Sequence, residues 1–375
     1  MFLLLLVLWG CRTDDDVVQP DVTDIGTHDA TSVVGMYVLC EGNMGSNKAT
    51  LDYLDLSGDT IHYLKNIFPS RNPQQVMMLG DVGNDCKIYG SRLWLVINCS
   101  HKVEVCTADS ARSLGHVDVP NCRYLAFHGD YAYVSSYVGE VGGRTVLGSV
   151  YKIDTLSLQV VGRCTVGYQP EEMAVLGNKL YVANSGGYNP LQGKDYDRTV
   201  SVIDLKSFTE ERRIDVAPNL FRLRADRRGQ LWVSSRGDDE NYPSRLYLLC
   251  PDTKGLMVVT DSVDYPVSDL AFKGDSLCFI GSTYDEHWQQ HNYSGVVDIA
   301  TCRIVSTQLV NDLSVIKTVY GLMIHPVTGD IYVMDATNYV SSGRLFCFDS
   351  VGNLKWQTLT GDIPGHACWR VSSEK

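Results

Sequence analysis

One pattern of polar and apolar residues recurs along the chain. In each occurrence a polar residue is followed by an apolar, an aromatic and another apolar residue, and then by small or polar residues. A short apolar run that leads into a loop is typical of a buried β-strand. The aromatic position occurs seven times, once as a cysteine with Phe279 adjacent: Tyr37, Trp94, Tyr133, Tyr181, Trp232, Cys278 and Tyr332.

The spacing of these strands indicates a repeat. Successive aromatic positions are separated by 57, 39, 48, 51, 46 and 54 residues, which is close to the length of one four-stranded propeller blade. Two further alternating strands follow each of them, as in residues 198–204 and 211–216. A short strand that ends in Gly and a polar residue comes before, as at Gly90-Ser91 and Gly177-Asn178. Such dipeptides are typical of hairpin turns.

Seven units of four antiparallel strands predict an all-β fold, a seven-bladed β-propeller over residues 33–372. The first unit begins at its aromatic strand and therefore lacks an innermost strand. Residues 365–371 form one more strand-like segment that has no partner in the last unit. We predict that this C-terminal strand completes the first blade and closes the ring, since an unpaired edge would otherwise remain exposed.

Composition and charge narrow the functional classes. A content of 44% hydrophobic and 20% charged residues fits a folded chain and excludes extensive disorder. The formal net charge is −12, which disfavours long-range attraction to phosphate backbones and anionic lipid surfaces. Nucleic acid is therefore not an expected partner.

The N-terminus is predicted to be a targeting segment. Residues 2–9 are wholly apolar, far fewer than the roughly 20 needed to cross a membrane. Leu8-Trp9-Gly10-Cys11 resembles a bacterial lipobox, so residues 1–11 are predicted to be a lipoprotein signal segment that ends at a lipidated Cys11. Residues 12–32 are polar and predict a flexible acidic tether. The acidic cluster behind Cys11 resembles the surface-export signal of Bacteroidota lipoproteins, which implies an outer-membrane, cell-surface location with contact to the membrane only through the lipid.

The twelve cysteines do not form a recognisable metal pattern. No CxxC pair and no Cys/His zinc spacing occurs, and most cysteines lie in apolar, strand-like runs. Buried free thiols that act as small hydrophobic residues are therefore predicted, with one or two disulfide bridges left open.

Several segments resemble known propellers. Gly167-Tyr-Gln-Pro170 and Tyr181-Val-Ala-Asn184 match blade motifs of the YncE-like family. The segments that resemble the BtuG group of Bacteroidota surface lipoproteins are residues 39–45, 80–85, 120–124, 183–187 and 361–364. This resemblance implies a non-enzymatic protein that captures cobalamin or a related corrinoid as a transported ligand. It also implies delivery to a TonB-dependent outer-membrane transporter of the BtuB type.

The propeller geometry predicts where a ligand binds. Loops after the second strand of each blade and joins between blades gather on one face around the axis. The chain has 21 Tyr against 9 Phe, and Tyr with amides and hydroxyls suits recognition; Arg123, Arg222 and Arg236 suit a phosphate. The predicted ligand-binding residues are Asn43, Asn98, Asn121, Arg123, Tyr124, Tyr137, Tyr168, Gln169, Asn184, Tyr188, Asn219, Arg222, Arg236, Tyr242, Tyr265, Tyr284, Trp288, Tyr320, Tyr339 and His366.

Two other functional classes compete with ligand capture. One is a metal-dependent propeller hydrolase of the lactonase type, which uses an axial ring of oxygen ligands. The sequence offers no activated nucleophile or recognisable general base, so catalysis is not predicted. The other is a surface protein-interaction ring without a small ligand. The oxygen ligands of the hydrolase would be Glu41, Asn121, Glu171, Glu172, Asn219 and Asp269.

Overall fold

The computed structural model describes residues 19–75, 78–139, 146–186, 196–238 and 241–372. These residues form 29 strands and one short helix. The strands form seven separate antiparallel sheets, and the innermost strands of successive sheets contact one another around an axis. The prediction of an all-β, seven-bladed propeller is therefore confirmed.

Blade 1 combines the two ends of the described chain. It contains β1 (Val22–Thr27), β2 (Val33–Cys40), β3 (Thr50–Asp55), β4 (Thr60–Leu64) and β29 (Pro364–Val371). Strand β29 lies innermost and pairs antiparallel with β2, with Met36 opposite Trp369 and Val38 opposite Ala367. This is the predicted closure of the ring by the C-terminal strand.

The other blades follow the chain from the axis outward, after helix α1 (Ile67–Arg71). Each has four strands in the order inner to outer. Blade 2 contains β5 (Gly83–Tyr89), β6 (Arg92–Ile97), β7 (Lys102–Thr107) and β8 (Ser113–Asp118), and blade 3 contains β9 (Cys122–His128), β10 (Tyr131–Ser136), β11 (Ser149–Asp154) and β12 (Val160–Thr165). Blade 4 contains β13 (Pro170–Leu176), β14 (Lys179–Asn184), β15 (Thr199–Asp204) and β16 (Thr209–Asp215), and blade 5 contains β17 (Leu220–Ala225), β18 (Leu231–Ser235), β19 (Arg245–Pro251) and β20 (Met257–Val263). Blade 6 contains β21 (Asp269–Lys273), β22 (Ser276–Tyr284), β23 (Gln290–Asp298) and β24 (Arg303–Ser306), and blade 7 contains β25 (Val319–Ile324), β26 (Ile331–Asp335), β27 (Ser342–Phe348) and β28 (Leu354–Asp362).

One part of the predicted tether is a strand. Residues 12–32 were expected to be flexible, but β1 pairs antiparallel with β4 as a fifth, outermost strand of blade 1. The His62 Nδ1 and Asp24 Oδ1 atoms of this pair lie 2.6 Å apart. Without β1, the backbone groups at the outer edge of β4 would have no strand partner. The β-branched residues Val22 and Ile25 favour the extended conformation in which β1 pairs with that edge. Residues 1–18, including Cys11, lie outside the described part of the chain.

The core lies between the blades. Seven clusters of buried apolar side chains occur in the described chain, and each spans the boundary of two neighbouring blades. For example, Trp94 and Val96 of blade 2 pack with Leu125 and Val134 of blade 3. All seven residues at the repeated aromatic position are buried. Both faces of each sheet are therefore covered, as a propeller requires.

Carboxylates on the inner strands connect some neighbouring blades. Three of them accept a hydrogen bond from a backbone N–H on the inner strand of the following blade, at 2.8 to 3.0 Å. Each is buried, so the bond is made away from water. The three pairs are Asp85 with Leu125 (blades 2 and 3), Glu172 with Leu223 (blades 4 and 5) and Asp269 with Leu322 (blades 6 and 7).

Candidate ligand-binding mouth

A wide cavity opens at one end of the propeller axis, and we call it the mouth. Its volume is about 1210 Å³. Its walls come from the ends of second strands, for example Asn98 after β6 and Arg236 after β18, and from the beginnings of inner strands, for example Tyr320 in β25. These are the loops that the sequence analysis assigned to the ligand-binding face.

The mouth gathers many of the predicted site residues. They approach one another although they come from six of the seven blades, because each blade contributes the same two loops. The predicted residues that line the mouth are Asn98, Arg123, Tyr124, Tyr137, Asn219, Arg222, Arg236, Tyr242, Tyr284, Trp288, Tyr320, Tyr339 and His366.

Other predicted residues do not line this cavity, and Asn184 and Asn121 show why. Asn184 is fully buried and donates hydrogen bonds to the Thr199 and Ser201 hydroxyls. Asn121 accepts from Asn98 Nδ2 at 2.7 Å and donates to a backbone carbonyl. Both amides hold blade strands and loops together. The residues outside the cavity lining are Asn43, Asn121, Tyr168, Gln169, Asn184 and Tyr265, and Tyr188 lies outside the described residues.

Asn43 and Tyr265 hold neighbouring loops. Asn43 Nδ2 donates to the backbone oxygen of Tyr339 at 2.6 Å. The Tyr265 ring packs against Phe279, with 5.5 Å between ring centroids. These two residues therefore support the mouth from behind its surface.

One wall of the mouth carries a cationic cluster around a single carboxylate. Arg123 Nη2 lies 3.1 Å from Glu171 Oε2, and Tyr137 donates its hydroxyl to Oε1 of the same carboxylate. Arg236 Nη1 is 3.8 Å from Oε1, and its guanidinium stacks 3.5 Å above the Phe221 ring. Burial opposes the charge of Arg123, but Glu171 outweighs it and raises the arginine pKa. Two guanidiniums thus share one carboxylate, which leaves this wall with net positive charge.

Arg236 is the accessible member of this cluster. Its side chain is 45% exposed, against 17% for Arg123. Stacking on Phe221 fixes the guanidinium plane without using its N–H donors. Arg236 therefore presents a positively charged group with accessible N–H donors to the mouth.

The floor of the mouth is formed by Arg222 and Tyr124. Arg222 Nε donates to the Ser268 carbonyl at 3.1 Å and lies 3.4 Å from Asp269 Oδ1. Its guanidinium carbon is 5.6 Å from the centre of the Tyr124 ring. Burial raises the pKa of the Tyr124 phenol, despite the opposing charge of Arg222. The phenol therefore stays neutral and presents an aromatic surface.

The opposite wall is acidic. Glu41 Oε1 accepts a hydrogen bond from the Tyr320 hydroxyl at 2.8 Å and lies 3.6 Å from His366 Nε2. Burial, followed by the charge of Glu41, raises the pKa of Tyr320 well above its ordinary value. The Tyr320 and Tyr339 rings meet edge to face at 5.6 Å. The mouth is therefore polarised between this wall and the Arg123 and Arg236 wall.

A long hairpin forms part of the rim. Strands β22 and β23 each have nine residues, and Trp288 at their turn is 84% exposed. Asp285 accepts from the backbone N–H groups of His287 and Gln289 and lies 2.9 Å from His291 Nε2. These bonds order the turn, so the indole of Trp288 is presented at the rim on a defined support.

The arrangement of the axial carboxylates bears on the hydrolase alternative. Glu172 Oε1 accepts from Arg224 Nε at 3.1 Å, and Asp269 Oδ1 accepts from Arg224 Nη2 at 2.8 Å. Burial opposes ionisation of Glu172, but Arg224 and Arg222 outweigh it and lower its pKa. With Glu171 engaged by Arg123, these carboxylates face guanidiniums. Among the described residues, no group of three or more His, Cys, Asp and Glu side chains converges as a metal site.

Several residues that line the mouth were not predicted from the sequence. Phe221, the platform for Arg236, directly precedes the predicted Arg222, so an apolar residue at the start of an inner strand was the available signal. Asn84 was missed as well; it donates to the Arg123 carbonyl at 2.8 Å and accepts from the Arg123 guanidinium. Tyr196 and Asn241 also line the mouth, in loops whose register could not be predicted from the sequence pattern.

A second, smaller cavity lies on the axis behind the floor of the mouth. Its volume is about 590 Å³, and it shares Arg222 and His366 with the mouth. Cys86 and Cys368 are among its lining residues. The floor residues therefore separate two compartments of the axial channel.

Comparisons with known proteins identify the fold. No protein-family model and no curated protein matches the chain. Among solved structures, hydrazine synthase of Kuenenia stuttgartiensis aligns with a TM-score of 0.62 and 16% identity over 76% of this chain and 89% of the other. A candidate 6-phosphogluconolactonase from Bacteroides fragilis aligns with a TM-score of 0.59 and 11% identity over 92% and 100% of the two chains.

A third solved structure extends the same result. A quinoprotein alcohol dehydrogenase-like protein from Bacteroides thetaiotaomicron aligns with a TM-score of 0.57 and 11% identity over 91% of this chain and 79% of the other. At these identities the likeness shows the propeller fold alone. In the part of the chain that the structure describes, no helix is both long enough and apolar enough to cross a membrane.

Proposed function

We propose that the protein is a cell-surface ligand-capture lipoprotein that binds cobalamin or a related corrinoid in the mouth. The observation that carries the proposal is the combination of a wide cavity with aromatic, amide and guanidinium groups on its walls. A cavity of about 1210 Å³ is larger than the usual pocket for a drug-sized ligand, which is roughly 300 to 1,000 Å³. A bulky ligand suits it.

The polarity of the mouth suits a corrinoid. Such a ligand has a ring edged with amides, one phosphate and an apolar base. The phosphate is placed against Arg236, where two guanidiniums share the Glu171 carboxylate. The ring amides face Asn219, and the apolar parts face the aromatic side chains.

The location and partner complete the proposal. We infer that Cys11 carries the lipid anchor in the outer membrane and that the mouth faces a TonB-dependent transporter of the BtuB type. Exposed aromatic residues on the rim, Trp288 and Tyr284, supply contact area that desolvates either a ligand or the transporter. A gene for such a transporter beside the gene of this protein would support the assignment.

Isothermal titration calorimetry with cyanocobalamin tests the proposal. We expect saturable one-to-one binding by the wild-type protein. Arg236→Ala is expected to weaken binding about tenfold, because a charge-assisted hydrogen bond to the phosphate is lost, equivalent to about 1.4 kcal/mol. Arg227→Ala is the matched control, since Arg227 is exposed, pairs with Asp275 and lines neither cavity.

Three results separate the alternatives. Equal weakening by both arginine variants would contradict the placement of the phosphate. Absence of cyanocobalamin binding would overturn the proposed ligand while leaving the fold unaffected. Turnover of small lactones that depends on a divalent metal would instead favour the hydrolase class.

A further inference from the structure

Two cysteines meet where the C-terminal strand contacts blade 2. Cys368 lies on β29, the inner strand of blade 1, and Cys86 lies on β5, the inner strand of blade 2. Both belong to the hydrophobic cluster between these blades and both line the smaller axial cavity. Strands β29 and β5 lie in contact, and burial together with the neighbouring Cys368 side chain raises the pKa of Cys86 well above its ordinary value.

A cross-link between these two cysteines would hold the C-terminal strand β29 against blade 2. Strand β29 is joined to blade 1 by its backbone pairing with β2, whereas side-chain packing is what brings it against blade 2. Chain ends that are tied down by few interactions open most readily. A bond between Cys86 and Cys368 would enclose blades 2 to 7 in one covalent loop, and long loops lose the most unfolded-state freedom.

We propose that Cys86 and Cys368 form a disulfide that locks the C-terminal strand into the ring. The reduced pair is the state in which the two thiols pack side by side, and the bonded pair is the state that holds the blade 1 and blade 2 boundary closed. This modification site does not depend on any ligand in the mouth.

The reaction balances with a small-molecule disulfide as oxidant. The Cys368 thiolate attacks one sulfur of the oxidant, which releases one thiol and leaves a mixed disulfide on Cys368. The Cys86 thiolate then attacks the Cys368 sulfur and releases the second thiol. The two cysteines together lose two protons and two electrons, and the oxidant is reduced to two thiols. Cys368 attacks first because it is the more exposed of the two, at 9% against 2%.

Peptide mapping tests the proposal directly. The purified full chain is incubated with oxidised glutathione, alkylated without reduction and digested with trypsin. Cleavage after Arg71 and Lys87, and after Lys355 and Arg370, gives peptides 72–87 and 356–370, which each contain one cysteine. We expect these two peptides to appear as one disulfide-linked species that separates after reduction.

Thermal unfolding supplies an independent readout. Reduction with dithiothreitol is expected to lower the Tm of the oxidised wild-type chain by about 5 °C or more. Cys86→Ala should abolish this response. Cys106→Ala is the matched control, because Cys106 is buried in the same cluster and should leave both the linked peptide and the response to reduction intact.

Two outcomes would overturn the proposal. One is recovery of both peptides alkylated and unlinked after oxidation. The other is a linked species whose reduction leaves the Tm unchanged, since the bond would then not lock the strand. Cys368→Ala should reproduce the behaviour of Cys86→Ala, so a folding defect peculiar to one variant does not decide the result.

Discussion

The buried carboxylate of Asp52, at the contact between blades 1 and 7, is expected to contribute several kcal/mol to the free energy of unfolding. Asp52 lies on β3 and is fully buried. It accepts hydrogen bonds from the backbone N–H groups of Asn66 and Gly361, both at 2.8 Å, and from the Tyr63 hydroxyl at 3.0 Å. Gly361 belongs to β28 of blade 7, so the carboxylate connects the last blade to the first.

The expected loss in the free energy of unfolding follows from the number of hydrogen-bond donors that Asp52 satisfies. Asp52→Ala leaves two backbone N–H groups and one phenol without their acceptor, and each unsatisfied buried group costs about 1 to 3 kcal/mol. Because some donors regain water, we expect a loss of about 3 to 6 kcal/mol in the free energy of unfolding. Asp55→Ala on the same strand is the control, since Asp55 bonds locally to Ser57 at the surface and should cost about 1 kcal/mol or less.

The pH dependence has a defined sign. Burial raises the pKa of Asp52 above its ordinary value of 3.8, although the bonds from Asn66 and Gly361 oppose the shift. The folded chain therefore holds this proton more tightly than the unfolded chain. The stability from Asp52 is fully present below pH 3.8 and declines as the pH rises through the folded value. The free energy of unfolding of wild type relative to that of Asp52→Asn should therefore fall as the pH rises.

Urea unfolding followed by tryptophan fluorescence, at several pH values from about 4 to 8, measures both effects. A loss below about 1 kcal/mol for Asp52→Ala would refute the argument from unsatisfied donors. A free energy of unfolding that rises with pH for wild type relative to Asp52→Asn would refute the sign of the pKa shift.

Three further predictions concern the rim, the anchor and the closure of the ring. Trp288→Ala should weaken cyanocobalamin binding about tenfold in calorimetry and leave the Tm unchanged. Leu156→Ala, on a distant exposed turn, is the control and should change neither the affinity nor the Tm. Equal loss of affinity in the two variants would contradict a role of Trp288 at the rim. Cys11→Ser should abolish incorporation of labelled palmitate and move the protein out of the membrane fraction, and unchanged fractionation would contradict lipidation. A chain that ends at Ile363 lacks β29 and should be aggregated or unfolded by size exclusion and circular dichroism, while a native, monomeric product would contradict closure by that strand.

The ring was predictable because its signal is repeated. Each blade must bury a central strand, so residues such as Tyr37 and Trp94 recur at similar spacing and carry the architecture several times over. The C-terminal segment, which has no partner in the last unit, could then pair only with the first unit, which lacks an innermost strand. Residues 22–27 gave no such signal, since five of the six residues of this outer strand are exposed and its sequence is as polar as a tether.

The mouth was predictable only as a region. Both faces of a propeller sheet are buried, so alternation does not reveal whether an amide such as Asn184 points into its blade or toward the axis. The partners within the cationic cluster could not be predicted from the sequence pattern either. Arg123 and Arg236 were predicted individually, but their shared partner Glu171 and the platform Phe221 depend on how neighbouring blades approach in space.

The three buried carboxylates that accept a backbone N–H from the next inner strand couple the blades in pairs. Among the described residues they join blades 2 with 3, 4 with 5 and 6 with 7. Seven blades cannot be divided into such pairs, so in the described chain blade 1, the sheet assembled from both chain ends, has no such link on its inner strand and contacts blade 7 through the Asp52 carboxylate on β3 instead. We expect this seam to breathe first, with amides of β29 exchanging hydrogen for deuterium before those of β13 or β17.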